Sequence, residues 1–267
     1  MSENSINYYK EYSNTRAVYL RRQLKTIENF INEIPIIDEC IGFQIWLDDL
    51  IAKFINDNEE KFRKINQKTP DMGKQIAISF SLYRRNHQYL YSAYELAYSG
   101  LCEPAYNNMR TIHETVLSIW YIATHPNEST EILEYMRNHN KKGKKYTHNL
   151  FVQSLYIGEL EKSMREIYAG LSVKAHSNVF GMKNTEQYNV EQIKDCFWSI
   201  KIQSFYNIIA TIENLAQNSD LRNILFTKKV ITFIERLKYN IGGNKKTIAD
   251  YFPNKGNLKD SFYIYQP

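Results

Sequence analysis

The sequence predicts an all-α protein. Only ten glycines and six prolines interrupt its 267 residues, whereas a fold of many short strands needs frequent turn residues. Apolar residues instead recur three and four positions apart over long stretches, as they do on one face of a helix. Charged residues make up 24% of the chain and hydrophobic residues 43%, which is ordinary for a globular chain long enough to bury a sizeable core.

The first part of the chain predicts a helical hairpin. Residues 14–34 carry apolar side chains at helical spacing, and we expect Pro35 to end that helix. A second apolar stripe begins at Ile37 and runs into a charged segment. Together these helices predict an N-terminal helical hairpin over residues 1–68, with the turn-rich KTPDMG segment, residues 68–73, as the boundary.

The following segment, residues 74–240, predicts an up-and-down bundle of about five helices. Its first helix starts near Lys74 and is closed by Ser99-Gly100, because glycine accepts the left-handed conformation at a helix C-terminus. The next helix has Pro104 at its first position and runs to about His125.

Four further helices complete the predicted bundle, and an irregular tail follows it. The remaining helices are predicted over residues 129–138, 149–176, 189–217 and 219–240. The glycine pair after Ile241 breaks the last helix, so residues 241–267 are predicted to form an irregular C-terminal tail.

The sequence gives no sign of a membrane segment, a metal site or a cofactor. The N-terminus lacks the apolar core of a secretory signal, and no apolar stretch approaches the roughly 20 residues that span a bilayer. Cys40, Cys102 and Cys196 form no CxxC pair, which favours buried thiols in a reducing compartment. Phosphate-binding glycine loops and metal-binding Glu-x-x-His pairs are absent from the sequence. We therefore expect a cytoplasmic protein with no membrane partner.

The stretch NNMRTIHETVLSIWYI, residues 107–122, combines a polar head with an apolar continuation. Arg110, His113 and Glu114 lie within five residues, directly before a run that reads as a core helix. Residues three and four apart share a helix face, so these side chains flank the apolar stripe. A charged side chain beside the apolar stripe is expected to be partly buried, so it needs an oppositely charged partner or a ligand. These residues are therefore predicted to have a structural or functional role.

A second polar cluster lies in YAGLSVKAHSN, residues 168–178. Tyr168, Ser172 and His176 repeat every four residues and project from one helix face. No nucleophile-elbow motif is present, so a serine hydrolase is not favoured. His176 as a general acid or base oriented by Ser172 is one interpretation, and a capping or core histidine is the other.

The two clusters together carry a resemblance. ELAYSGLCEPAYNNMRTIHETVLSIWYI followed by YAGLSVKAHSN resembles an uncharacterised set of prokaryotic helical proteins, distantly similar to the HEPN superfamily of helical nucleotide-binding and ribonuclease domains. Arg110 and Glu114 match the Arg-x-x-x-Glu motif of that set, and Ser172 and His176 match its Ser-x-x-x-His motif. The resemblance implies a HEPN-like bundle, a homodimer and a role in toxin–antitoxin or antiviral systems. Catalytically active HEPN ribonucleases separate an arginine from a histidine by four to six residues on one helix, and this sequence has no such spacing.

The residue types suffice for metal-independent RNA cleavage. That reaction needs a base for the 2′-hydroxyl, a cation for the phosphorane and an acid for the leaving oxygen. Arg110 would supply the charge, His176 or His113 the proton transfer, and Glu114 would orient one of them. The alternative is a non-catalytic helical interaction or scaffold protein, in which the same side chains satisfy one another in the core. A neutralising or activating protein partner is compatible with both.

A glycine-centred basic connector, RNHNKKGKKYTH, residues 137–148, is a candidate nucleic-acid contact. The residues we predict to contact a phosphate backbone are Arg137, Lys141, Lys142, Lys144 and Lys145. The alternative is a solvated interhelical loop. The net charge of +5 is compatible with such a local basic patch.

Overall fold

The computed structural model describes residues 3–137, 151, 158–175 and 188–241. Over these residues the chain forms ten α-helices and a short 3₁₀ turn at Pro126–Glu128, and it contains no strand. The all-α prediction is confirmed. The helices are α1 (Glu3–Phe30), α2 (Ile34–Asp57), α3 (Glu59–Lys68), α4 (Pro70–Tyr98), α5 (Cys102–Thr124), α6 (Ser129–Arg137), α7 (Gly158–Ala175), α8 (Val190–Leu215), α9 (Ser219–Leu225) and α10 (Lys228–Asn240).

Helix α8 is the central element of the fold. Every residue from Ser199 to Ala216 is buried, because α4, α5 and α2 pack around it and α10 and α1 add further contacts. A helix that is enclosed on all sides is normally apolar all round. This one carries buried polar side chains, and Asn207 and Asn214 among them are paired within the core.

A chain of amide hydrogen bonds joins α2, α4 and α8. The Asn86 side chain donates from Nδ2 to Asn207 Oδ1 at 2.8 Å, and Asn207 donates from Nδ2 to Gln44 Oε1 at 3.0 Å. Gln44 in turn donates from Nε2 to the carbonyl of Ser204 at 3.0 Å. The N-terminal helices are thus fixed on the bundle by directional bonds as well as by apolar contact, and they share one core with it.

The predicted end of α4 is confirmed in detail. Gly100 has φ of 75°, the left-handed conformation that glycine adopts without steric cost. The Leu101 amide donates to the carbonyl of Leu96 at 2.7 Å, and the Gly100 amide donates to that of Ala97 at 2.9 Å. These two bonds form a Schellman motif and satisfy carbonyls that the helix end leaves open.

Two predicted boundaries near prolines were wrong by several residues. Helix α1 ends at Phe30, and Pro35 lies in the first turn of α2, where its missing amide proton is not needed. Likewise α4 begins at Pro70 rather than Lys74, directly after the single non-helical residue Thr69. In both places proline starts a helix rather than marking the end of one.

The predicted helix over residues 219–240 is two helices. Helix α9 is capped by the side chain of Asn218, and α10 begins after Thr227, whose hydroxyl accepts from the amide of Val230 at 3.4 Å. The apolar pattern runs through the break because Phe226 between the two helices is also buried. No helix in the described ranges is long and apolar enough to cross a membrane.

Candidate functional site

The polar head of α5 forms an ion pair at the edge of the core. Arg110 donates from Nε to Glu114 Oε1 at 3.2 Å, one helical turn further along the same face. The Arg110 side chain is 27% exposed and that of Glu114 is 41% exposed. The pair is therefore reachable from solvent while lying beside the apolar stripe, as the spacing predicts.

Tyr168 of α7 completes this pair from the opposite helix. Arg110 donates from Nη2 to the Tyr168 hydroxyl at 3.0 Å, and that hydroxyl donates to Glu114 Oε1 at 3.2 Å. The guanidinium carbon also lies 5.3 Å from the centre of the Tyr168 ring, within cation–π range. We call Arg110, Glu114 and Tyr168 the α5–α7 cluster.

The electrostatics of the cluster favour a charged arginine. Burial lowers the pKa of Arg110, but the neighbouring Tyr168 and Glu114 oxygens outweigh it, and the net pKa is raised. The guanidinium is held in a fixed orientation by partners on two helices. A preoriented cation of this kind suits a phosphate or another oxyanion.

His113 lies on the core side of the cluster. Its side chain is completely buried, and its ring centre is 5.9 Å from that of Tyr168. A ring without solvent exposure cannot touch RNA directly in this conformation. Its predicted role in proton transfer stays a prediction.

The second predicted motif is described in part. Ser172 lies one turn after Tyr168 on α7, and its Oγ is buried with no hydrogen-bond partner among the described residues. His176 lies outside the described residues. The structure therefore brings Arg110, His113 and Glu114 together with the helix that carries Ser172.

The predicted basic connector is not part of the described structure. Lys141, Lys142, Lys144 and Lys145 lie outside the described residues. Arg137 is the last residue of α6, and only its backbone is described. Its contact with nucleic acid stays a prediction.

The residue that sequence reasoning missed as a cluster member is Tyr168. Its four-residue spacing to Ser172 is visible in the sequence, but its partners lie 54 and 58 residues away on α5. Only helix packing assigns a tyrosine on one amphipathic helix to an ion pair on another. In the sequence, only the four-residue spacing from Tyr168 to Ser172 pointed to this tyrosine.

A second ion pair lies where α2 meets α4. Arg84 Nε donates to both carboxylate oxygens of Asp48, at 2.8 and 3.1 Å, and His87 Nε2 lies 3.9 Å from the same carboxylate. Burial lowers the pKa of His87. This group resembles the α5–α7 cluster in composition, but it connects two core helices.

The α5–α7 cluster lies in a part of the chain that matches a protein-family model. The model of a family of unknown function, DUF5677, matches residues 75–224. The chain belongs to this family. The match to DUF5677 contains the whole α5–α7 cluster and most of the bundle, whereas α1, α2, α3 and α10 lie outside it. The chain has no significant match among curated proteins or among solved structures.

Proposed function

We propose that the chain is an RNA-directed effector of a prokaryotic defence or toxin system, and that the α5–α7 cluster contacts the phosphodiester backbone. The observation that supports this most directly is the Arg110 guanidinium, which is partly exposed and held by Glu114 and Tyr168. A cation that is oriented before the ligand arrives stabilises phosphate charge without further ordering of the side chain. In this proposal the effector acts as a homodimer, as the resemblance implies.

Cleavage by this cluster would follow the metal-independent route. Because His113 is fully buried, we assign the base to Glu114 instead of the orienting role expected from the sequence. Its exposed carboxylate takes the proton of the 2′-hydroxyl, and the freed oxygen attacks the adjacent phosphorus. Arg110 stabilises the charge of the phosphorane, and the leaving 5′-oxygen receives a proton from an acid, for which His176 is the sequence-based candidate. The products are a 2′,3′-cyclic phosphate and a 5′-hydroxyl. Buried His113 supports Tyr168 in this scheme.

The test is cleavage and binding of labelled single-stranded RNA in the presence of EDTA, with Arg110→Gln beside the wild type. We expect the variant to lose cleavage by about 100-fold or more, the usual effect of removing a transition-state charge partner. Arg84→Gln is the matched control, because it breaks a comparable arginine–carboxylate pair elsewhere in the bundle. Equal activity of wild type and Arg110→Gln would remove the α5–α7 cluster from the reaction. Binding without cleavage by the wild type would identify a nucleotide-binding effector.

A second function is favoured by one specific observation. Arg110, Glu114 and Tyr168 bond to one another, and His113 beneath them is fully buried. A self-satisfied network of this kind also suits a non-catalytic interaction or scaffold protein. If that is its role, Arg110→Gln should lower the free energy of unfolding by about 1–2 kcal/mol, because the pair is only partly buried, while the wild type fails to bind RNA. A binding site instead tolerates the change with little loss of stability.

A further inference from the structure

Helix α1 presents a continuous apolar row to solvent. Leu20, Leu24, Ile27 and Ile31 are 51%, 59%, 38% and 64% exposed. They follow one another by four, three and four residues, so they lie on one side of the helix and the turn that ends it. We call these four side chains the α1 row. A monomer gains nothing from exposing such a row, and rows of this kind mark interaction surfaces.

The orientation of α1 is fixed by its other side. Thr26 and Phe30 are buried against the bundle, and the Gln23 side chain donates to the hydroxyl of Ser99 at 2.9 Å. Tyr188 donates from its hydroxyl to Thr26 Oγ1 at 3.1 Å. The α1 row is therefore held on the surface by contacts on a different side of the helix.

We propose that the α1 row binds a second copy of the chain, with the two α1 helices antiparallel. Its four-three-four spacing is the spacing of core positions in a coiled coil. In an antiparallel pair, Leu24 packs against the partner's Ile27 and Leu20 packs against the partner's Ile31. A twofold axis between the helices maps the row onto itself, as a closed dimer requires.

The charges beside the row select this arrangement. Arg21 and Glu28 are exposed and each follows a residue of the row, Leu20 and Ile27 respectively. In the antiparallel pair, Arg21 lies beside the partner's Glu28, and the symmetry repeats this ion pair. A parallel pair would instead bring Arg16 close to the partner's Arg21, and like charges there repel. The α1 row and the charges beside it, Arg21 and Glu28, are thus complementary to the same surface of a second copy. This favours a second copy over an unrelated protein.

The expected dimer is weak and separate from the proposed RNA site. Four side chains from each copy form a smaller interface than that of a stable protein complex, so we expect a dissociation constant on the order of micromolar. The α1 row lies outside the residues matched by the family model, and none of its residues belongs to the α5–α7 cluster. The α1 interface and the proposed RNA contact therefore use separate residues, so a variant of one leaves the residues of the other unchanged.

Sedimentation equilibrium of the full chain over a concentration series tests the surface. We expect wild type to form dimers and Leu24→Lys to raise the dissociation constant roughly tenfold or more, because it buries two unpaired charges. Val18→Lys is the matched control: Val18 is also on α1 and 44% exposed, but it points away from the row. Circular dichroism confirms that both variants keep the fold. A wild type that stays monomeric, or a dimer equally stable in Leu24→Lys, would overturn the proposal.

A charge-reversal cycle tests the antiparallel register. Arg21→Glu and Glu28→Arg should each weaken the dimer, because each puts like charges opposite one another. The double variant should restore the dissociation constant toward that of the wild type. A mixture of the two single variants should dimerise no more tightly than the wild type. A double variant as weak as the single ones would contradict the pairing of Arg21 with the partner's Glu28.

Discussion

The Tyr168 hydroxyl lies 3.0 Å from Arg110 Nη2, and this contact joins two helices across 58 residues of sequence. The same hydroxyl bonds Glu114, so that a local ion pair on α5 becomes part of the packing between α5 and α7. The tyrosine sets the direction of the guanidinium and occupies one side of it. Any ligand of Arg110 must approach from the solvent side.

Removal of that hydroxyl should have a small and specific cost. We expect Tyr168→Phe to lower the free energy of unfolding by about 1 kcal/mol, since two hydrogen bonds are lost while Arg110 and Glu114 still pair with each other. Urea unfolding measures the change. Tyr239→Phe is the control, because that tyrosine is 76% exposed and its loss should be neutral. Equal costs for the two variants would show that the bridge to α7 contributes nothing.

The amide chain through Asn207 should be far more sensitive. Asn207→Leu leaves the amides of Asn86 and Gln44 buried without their partner, and we expect a loss of about 2–4 kcal/mol of unfolding free energy. Asn108→Leu is the matched control, since Asn108 bonds Ser92 at 3.1 Å on the exposed surface. A similar melting temperature for the two variants would contradict a structural role for the chain.

Two glycine-to-alanine changes should have opposite signs. Gly100→Ala forces a side chain into φ of 75° and should cost about 1 kcal/mol. Gly170→Ala lies inside α7, where an added Cβ meets nothing within 4 Å, and should stabilise by about 1 kcal/mol. Thermal unfolding of both variants tests the pair. A stabilising Gly100→Ala would show that the Schellman motif at the end of α4 is not formed in solution.

The pH dependence of stability should report His87. Burial lowers its pKa from the ordinary 6.5, and Arg84 lowers it further, against the opposing effect of Asp48 and Asp49. The fold therefore favours the neutral ring, and the unfolded chain binds the proton more readily. The stability contributed by neutral His87 is complete above about pH 6.5 and is lost as the pH falls toward the lower pKa of the folded state.

Urea unfolding across this pH range, with His87→Gln beside the wild type, measures the effect. The wild type should lose stability more steeply than the variant below pH 6.5, because only it takes up this proton on unfolding. Parallel curves would show that His87 keeps its ordinary pKa in the folded protein.

The three thiols should be inert in the native state. Cys40, Cys102 and Cys196 are free and buried. Burial raises the pKa of Cys40 to about 12 and raises that of Cys196 still further. A disulfide reagent should therefore react only as fast as the protein opens, and readily after denaturation. Ser81→Cys on the exposed face of α4 supplies a reactive control. If the native wild type, which lacks the introduced cysteine, also reacted rapidly, one of the natural thiols would be exposed.

Features that depend on neighbouring residues were accessible from the sequence. The end of α4 was predicted correctly because the left-handed conformation at a helix end depends on Gly100 itself. The Arg110–Glu114 pair was predicted because residues four apart lie on the same face of a helix. The boundary errors have the same local origin. Proline fits both the end of one helix and the first turn of the next, so Pro35 was assigned to a helix end and Pro70 to the boundary segment, whereas both lie in the first turn of a helix.

The sequence by itself determined the all-α class, most of the helices and the polar head of α5, because hydrophobic periodicity and capping act over a few residues. Only the tertiary structure decided that Tyr168 completes the α5–α7 cluster, that His113 lies beneath it, and that Asn207 bonds Gln44 163 residues away. These contacts depend on which helix faces meet. Periodicity predicts that a helix face is buried, but the packing of the ten described helices decides which residues lie opposite that face.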